Sequence, residues 1–135
     1  VAANKPGAPV GLELEIFQDI VEVGDEVEGR LTVTRLRAKP QRIFVKLIAH
    51  EFAKAGQTVG HQIDTSDMVL TETEPFNRGQ LCEGLSQRFA LRVPEGTVTY
   101  VGKNSSSRLL VKAVAALRFR RDISSTVQVH VGTFA

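Results

Sequence analysis

The stretch Val21–Val33, VEVGDEVEGRLTV, decides how this chain folds. The pair Gly24-Asp25 accepts the unusual backbone angles of a tight turn, and a strand pattern begins directly after it. Apolar residues in that strand alternate with charged or polar ones, which predicts one buried and one exposed face. The apolar positions are Val27, Leu31 and Val33. Gly29 falls on the inward side, which predicts either a β-bulge or the close approach of another backbone.

Six further segments favour strands, because they alternate or are rich in β-branched and aromatic residues. They are Gly11–Phe17, Ile43–Phe52, Met68–Thr73, Leu85–Val93, Leu109–Phe119 and Thr126–Val131. Ile43–Phe52 is apolar at nearly every position, which fits a strand buried on both sides or a short buried helix. A helix over Asn104–Arg118 is an alternative, although Val111 and Val114 fit a strand. About seven short strands separated by turn signals predict an all-β fold, an antiparallel, immunoglobulin-like β-sandwich.

The 135 residues predict a single domain over residues 11–135, preceded by a loose leader over residues 1–10 that contains two prolines. Ala53–Asp67 is polar and carries two glycines, which predicts a long hairpin connection. Val98–Val101 favours a short extended piece, and Gly102–Ser107 favours a flexible connection.

Composition excludes several classes of protein. No apolar run approaches the roughly 20 residues of a membrane span, so we expect no integral membrane segment. The single cysteine, Cys82, cannot form an internal disulfide, which favours a reducing, cytoplasmic location. The net charge of +2, the aromatic content of 6% and the lack of tryptophan argue against nucleic-acid binding. Arg118, Arg120 and Arg121 form only a small basic group.

Charge is distributed in two consecutive blocks. An acidic block without Lys or Arg consists of Glu13, Glu15, Asp19, Glu22, Asp25, Glu26 and Glu28. A basic block without Asp or Glu follows, consisting of Arg30, Arg35, Arg37, Lys39, Arg42 and Lys46. If the blocks lie on neighbouring strands, we expect them to pair across the sheet. The alternative is that the basic block forms a partner-binding edge.

Several of these segments resemble an arrestin-type domain. The resemblance rests on VGDEVEGRLTV followed by IFVKLIAH, on FALRVP at Phe89–Pro94, on RLLVKAVAALRF at Arg108–Phe119 and on the closing VQVHV. In order and spacing it covers Leu12–Val131, the length of one arrestin-type half. The pattern is most similar to the bacterial and archaeal sporulation-control type of arrestin-like protein.

This resemblance implies a non-catalytic scaffold or adaptor that binds other proteins through strand edges and loops. Two features depart from the arrestin pattern: the length suits one sandwich rather than two, and the charged cluster that senses phosphate in animal arrestins has no match. No phosphate-sensing role is therefore carried over.

Candidate catalytic and metal-binding residues are few. His50, Glu51, His61, Asp64 and Asp67 lack the close spacing of a zinc site, and we expect no metal or other cofactor. Cys82 has no histidine nearby in sequence to activate its thiol. An enzyme would require Cys82, His61 and Asp64 or Asp67 to converge, so we expect no catalytic activity. His130 alternates with valines and is expected to face solvent.

We therefore expect a protein-binding module that adds a partner strand to its edges, Leu12–Phe17 and Thr126–Val131, with a homodimer as one outcome. The expected partner-binding residues are Arg30, Arg35, Arg37, Lys39, Arg42, Lys46, Val127, Val129 and Val131. The Ala53–Asp67 loop would add selectivity. The alternative is an immunoglobulin-like structural domain of a larger assembly.

Overall fold

The computed structural model describes residues 1–18, 20–22, 24–54, 63–94 and 105–131. Within these ranges the chain forms nine strands, one short 3-10 turn at Arg78–Gln80 and no α-helix. The strands are β1 (Ala2–Ala3), β2 (Val10–Ile16), β3 (Ile20–Val21), β4 (Glu26–Leu36), β5 (Arg42–Lys54), β6 (Ile63–Thr73), β7 (Ser86–Arg92), β8 (Ser105–Ala116) and β9 (Ile123–Val131).

The strands form two sheets that pack face to face as a β-sandwich. One sheet has the order β1-β2-β4-β7, and the other has the order β3-β9-β8-β5-β6. All pairings are antiparallel except that of β3 with β9. The predicted all-β sandwich is therefore confirmed. The count rises from about seven to nine because β1 and β3 have two residues each, too few to show any alternation in the sequence.

The turn and strand quoted first adopt the predicted geometry. Gly24 has a φ of +92°, a conformation that side-chain-bearing residues rarely adopt. Along β4, Val27, Leu31 and Val33 are fully buried. Of the two explanations for Gly29, the close approach is correct: an added Cβ would lie 2.4 Å from the carbonyl oxygen of Glu15 on β2. The irregular register between β2 and β4 lies elsewhere, between Gly11 and Leu12.

The two apolar runs form the centre of the second sheet. β5 and β8 pair along twelve positions from Arg42↔Ala116 to Ala53↔Ser105, which confirms strands rather than helices for both runs. Only one face of β5 packs against the core between the two sheets. Ile43, Val45 and Leu47 belong to the core, whereas Phe44 and Lys46 on the other face are half-buried.

One hydrophobic core lies between the sheets and receives side chains from both. Its largest fully buried members are Leu12, Leu14, Leu31, Leu47, Leu91 and Leu109. Ser125 is the one buried polar residue among the described residues, and its hydroxyl donates a 2.9 Å hydrogen bond to the carbonyl oxygen of Leu12 in the opposite sheet. This bond joins the two layers directly.

Several connections differ from the sequence-based expectations. The segment predicted to be a loose leader contributes β1. The side-chain Nδ2 of Asn4 donates to the Val10 carbonyl oxygen, and its side-chain Oδ1 accepts from the Leu12 backbone amide. The predicted hairpin connection at Ala53–Asp67 is shorter, because β5 continues to Lys54 and β6 begins at Ile63. Ser105–Ser107 belongs to β8 rather than to a flexible connection. The predicted strand at Val98–Val101 lies outside the described residues.

Candidate functional site

A basic cleft lies at the end of the sandwich where β4 passes into β5. Its volume is about 1190 Å³. Three parts of the chain surround it: the β4–β5 connection, the segment between β6 and β7, and the turn after β8. The lining residues are Leu36, Arg37, Ala38, Lys39, Pro40, Gln41, Arg42, Ile43, Glu74, Phe76, Gly79, Leu81 and Arg118.

The cleft combines an apolar lining with a charged one. Leu36, Ala38, Phe76 and Leu81 are half-buried and pack against the hydrophobic core. Four basic residues and a single carboxylate supply its charge. Because apolar walls with a few placed polar groups are the usual composition of a binding site, this cleft is the best candidate that the described residues offer.

Arg42 is already neutralised within the cleft. Its guanidinium forms ion pairs with both Glu72 and Glu74. It also lies 4.3 Å from the centre of the Phe44 ring, in a cation–π contact. The hydrogen bond to Glu74 raises the pKa of Arg42, with Glu72 acting in the same direction. Arg42 therefore holds Glu72 and Glu74 at the wall of the cleft, and its charge is not available to an incoming anion.

The other three cations of the cleft have no ion-pair partner among the described residues. Arg37, Lys39 and Arg118 are exposed, and none lies within 4 Å of a carboxylate of the described residues. The backbone holds the β4–β5 connection in place, since the Arg37 amide donates a 2.7 Å hydrogen bond to the Pro9 carbonyl oxygen. The cleft therefore presents a net positive potential to solvent, which attracts anionic groups.

The structure brings only half of the predicted basic block to this site. Arg37, Lys39 and Arg42 line the cleft. Arg30 lies in the middle of β4 with its guanidinium 5.9 Å from the Phe17 ring centre, and the Arg35 guanidinium donates to the Ala8 carbonyl oxygen at 2.9 Å.

Lys46 lies on the outer face of β5 near Phe44. Residues of one strand alternate between its faces, so a continuous basic run in sequence cannot form a continuous patch.

Two of the three predicted β9 valines, Val127 and Val129, face inward. Val129 is 1% exposed and belongs to the core, and Val127 packs against that core. Val131 pairs through its backbone with Val21 of β3. On its other face, β9 exposes Thr126, Gln128 and His130. β8 pairs along most of β9, whereas β3 pairs with it only at His130 and Val131, so partner binding along this strand stays a prediction. Likewise β2, the other predicted edge, lies between β1 and β4.

Ion pairs between the acidic block and the basic block on neighbouring strands are absent from the described residues. The register places Glu15 directly opposite Arg30, but no ion pair within 4 Å joins members of the two blocks there. The acidic residues Glu22, Asp25, Glu26 and Glu28 instead line a second, shallower pocket at the opposite end of the sandwich. This segregation gives the domain one basic and one acidic end.

Sequence reasoning missed the residues that distant segments bring to the cleft. In the sequence, Arg118 belongs to a small basic group, and neither Glu74 nor Leu81 belongs to any predicted site. Strand alternation carries no information about which loops meet, so no local signal could have placed them together. The one available hint is the density of arginines directly after the strand pattern of β8.

The metal site considered in the sequence falls on side chains outside those that the structure describes, namely those of His50, Glu51, His61, Asp64 and Asp67, so its expected absence stays a prediction. Among the described residues, no group of three His, Cys, Asp or Glu could hold a metal ion. Cys82 is exposed in the segment before β7, whereas Asp64 lies near the start of β6, at the opposite end of the sandwich. His61 lies outside the described residues. His130 is exposed, as predicted.

None of the described helical segments has the length and apolar character to cross a bilayer.

The two sheets, their strand order and the lack of helix in the described residues define an arrestin-type β-sandwich domain, as the sequence resemblance predicted. Spo0M, a sporulation control protein from Bacillus subtilis, has a similar structure, with a TM-score of 0.64 over 99% of this chain and 16% sequence identity. Squid arrestin has a TM-score of 0.62 over 97% of this chain and 10% identity.

At these identities the similarity establishes the fold alone. This chain spans 51% of each of those two proteins. Comparison of the sequence with protein-family models and with curated proteins finds no match.

Proposed function

We propose that this arrestin-type domain is a non-catalytic adaptor whose basic cleft binds an acidic, partly apolar segment of another protein. The observation that carries the proposal is the convergence of Arg37, Lys39 and Arg118, all without ion pairs to described carboxylates, around an apolar wall. The cations would attract acidic side chains, and Phe76 and Leu81 would contact apolar ones. Electrostatic complementarity of this kind favours fast and selective association.

A peptide segment suits this cleft better than a small substrate. The cleft is open and its cations lie in separate connections, so its charge is spread along the site rather than focused on one reacting atom. No Ser, Thr or Cys is among the described residues that line it. A cytoplasmic location remains a prediction from the single cysteine.

Fluorescence anisotropy with a labelled peptide of alternating Glu and Leu tests the proposal. We expect R37E/K39E to weaken binding about tenfold or more, since two attractive contacts become repulsive. A matched control is R88E/K112E, which changes the net charge equally on the outer faces of the two sheets. The counterpart peptide with Lys in place of Glu should not bind. Equal affinity of the wild type and R37E/K39E for the acidic peptide would refute the assignment of the cleft.

Self-association along β6 is a second candidate function. Among the described strands, β6 is an outer strand of its sheet, and its eleven residues make it longer than the other outer strands, β1, β3 and β7. Met68 and Val69 on this strand are 66% and 49% exposed. A long exposed edge with apolar residues tends to pair with another strand, which predicts a symmetric homodimer that continues the sheet across two copies.

A further inference from the structure

The turn between β8 and β9 carries an aromatic side chain in an unusual position. Arg118, Phe119, Arg120 and Arg121 follow the end of β8 directly, and we call these four residues the RFRR turn. Phe119 is 93% exposed, more than any other large apolar side chain of the described residues. Singly exposed apolar residues are common on proteins, so exposure alone does not indicate a function.

The backbone supplies a second observation. Phe119 has a φ of +63° and is the one residue other than glycine with a positive φ among those described. Bulky side chains rarely adopt this left-handed conformation, which costs free energy relative to the right-handed one. Glycine or asparagine would fit the turn at lower cost, yet the chain has phenylalanine there. Such strain commonly marks a residue whose exposed position is used.

Charge around the ring supplies a third observation. The Arg118 guanidinium lies 5.1 Å from the ring centre, and Arg118, Arg120 and Arg121 are all exposed. None of the three is within 4 Å of a carboxylate of the described residues. Arg118 also lines the basic cleft, so Arg37 and Lys39 add positive potential at the same end of the sandwich.

We propose that the RFRR turn docks the domain onto anionic lipid bilayers. Phe119 would enter the interfacial layer, while the arginines would meet the negatively charged headgroups. Aromatic rings favour this layer, and each cation near an anionic surface raises the partition coefficient about fivefold. A single ring and a few cations produce reversible binding, so the turn would act as a peripheral contact and not as a permanent anchor.

A bilayer accounts for the turn better than a nucleic acid does. Proteins that bind single strands stack successive bases on several rings along a groove. The RFRR turn offers one ring at the tip of a protruding connection. This proposal also goes beyond the adaptor function, because it depends on Phe119, which does not line the cleft.

Tryptophan fluorescence provides a direct test. The chain contains no tryptophan, so F119W introduces a single reporter at the tip of the turn. We expect its emission to shift to shorter wavelength with phosphatidylcholine vesicles that contain phosphatidylserine, and not with phosphatidylcholine alone. Brominated lipids should quench it. F17W is the matched control, because Phe17 is also exposed but lies away from the turn, near Arg30 and Arg88.

Vesicle sedimentation measures the partition coefficient of each variant. F119A should lower the partition coefficient about tenfold, and R120Q/R121Q should lower it about 25-fold, the product of two fivefold losses. High salt should abolish binding, since it screens the headgroup charge. Unchanged F119W emission with anionic vesicles would overturn the proposal. So would an equal shift with F17W, or a shift that appears only with an oligonucleotide.

The peptide and vesicle assays separate the two proposals. F119A should retain affinity for the acidic peptide, because Phe119 does not line the cleft. A wild-type protein that binds the acidic peptide but not anionic vesicles would refute only the lipid contact, and one that binds anionic vesicles but not the peptide would refute only the adaptor cleft.

Discussion

Gly29→Ala tests the closest packing in the sandwich. An added Cβ would lie 2.4 Å from the Glu15 carbonyl oxygen and 2.7 Å from Cζ of Phe89. Rotation of a side chain cannot relieve the first contact, because that oxygen belongs to the backbone of β2, and Phe89 is itself buried in the core. Core overpacking of this kind costs about 1–3 kcal/mol, and we expect a value of about 2–3 kcal/mol here.

Urea denaturation followed by circular dichroism would measure this loss of unfolding free energy. For a domain of this length it corresponds to a lowering of the melting temperature by about 7–10 °C. Two other glycines provide matched controls. Gly79 has open space around it and no positive φ, so Gly79→Ala should change stability by less than about 0.5 kcal/mol. Gly24 also has open space but a φ of +92°, so Gly24→Ala should cost about 1–2 kcal/mol from backbone strain alone.

The three variants separate steric clash from backbone conformation. If Gly29→Ala were no more destabilising than Gly79→Ala, β2 and β7 could not approach β4 as closely as the structure indicates. A cost equal to that of Gly24→Ala, with no broadening or shift of the Phe89 ring signals by NMR, would also contradict the clash. The expected order of destabilisation is therefore Gly29→Ala, then Gly24→Ala, then Gly79→Ala.

Two further predictions concern the contact between the sheets and the exposed edge. Ser125→Ala should reduce the unfolding free energy by about 1 kcal/mol, because the hydrogen bond to the Leu12 carbonyl oxygen is lost. That oxygen keeps one donor, the backbone amide of Asn4. The exposed neighbour Ser124 is the control, and an equal effect of Ser124→Ala in thermal unfolding would contradict this role. Light scattering across a concentration series should show a dimer that Val69→Lys converts to a monomer, since a charge on an edge strand opposes strand pairing. Gln128→Lys on β9 should leave the dimer intact, and a wild-type monomer at every concentration would rule out self-association along β6.

The strand pattern determined much of the fold. Apolar alternation in β4, β7 and β9 set both the strand assignment and the buried face, because a period of two is a local property of the chain. Gly24 likewise predicted a turn, and Gly29 predicted either a β-bulge or a close approach, of which only the structure shows the second. The arrestin-type resemblance rests on the same local patterns taken in order.

The candidate site depended on tertiary structure. Strand order makes β6 and β7 outer strands, and it places the two-residue strands β1 and β3 beside parts of β2 and β9. This order follows from pairing between residues far apart in sequence. The cleft forms because Arg118 and Glu74 meet the β4–β5 connection at one end of the sandwich. The sequence does not show how far apart these residues lie in space. Because side chains alternate along a strand, Arg30, Arg35 and Lys46 lie on other surfaces. The local sequence therefore predicted the basic charge, and only the packing of the two sheets decided which basic residues line the cleft.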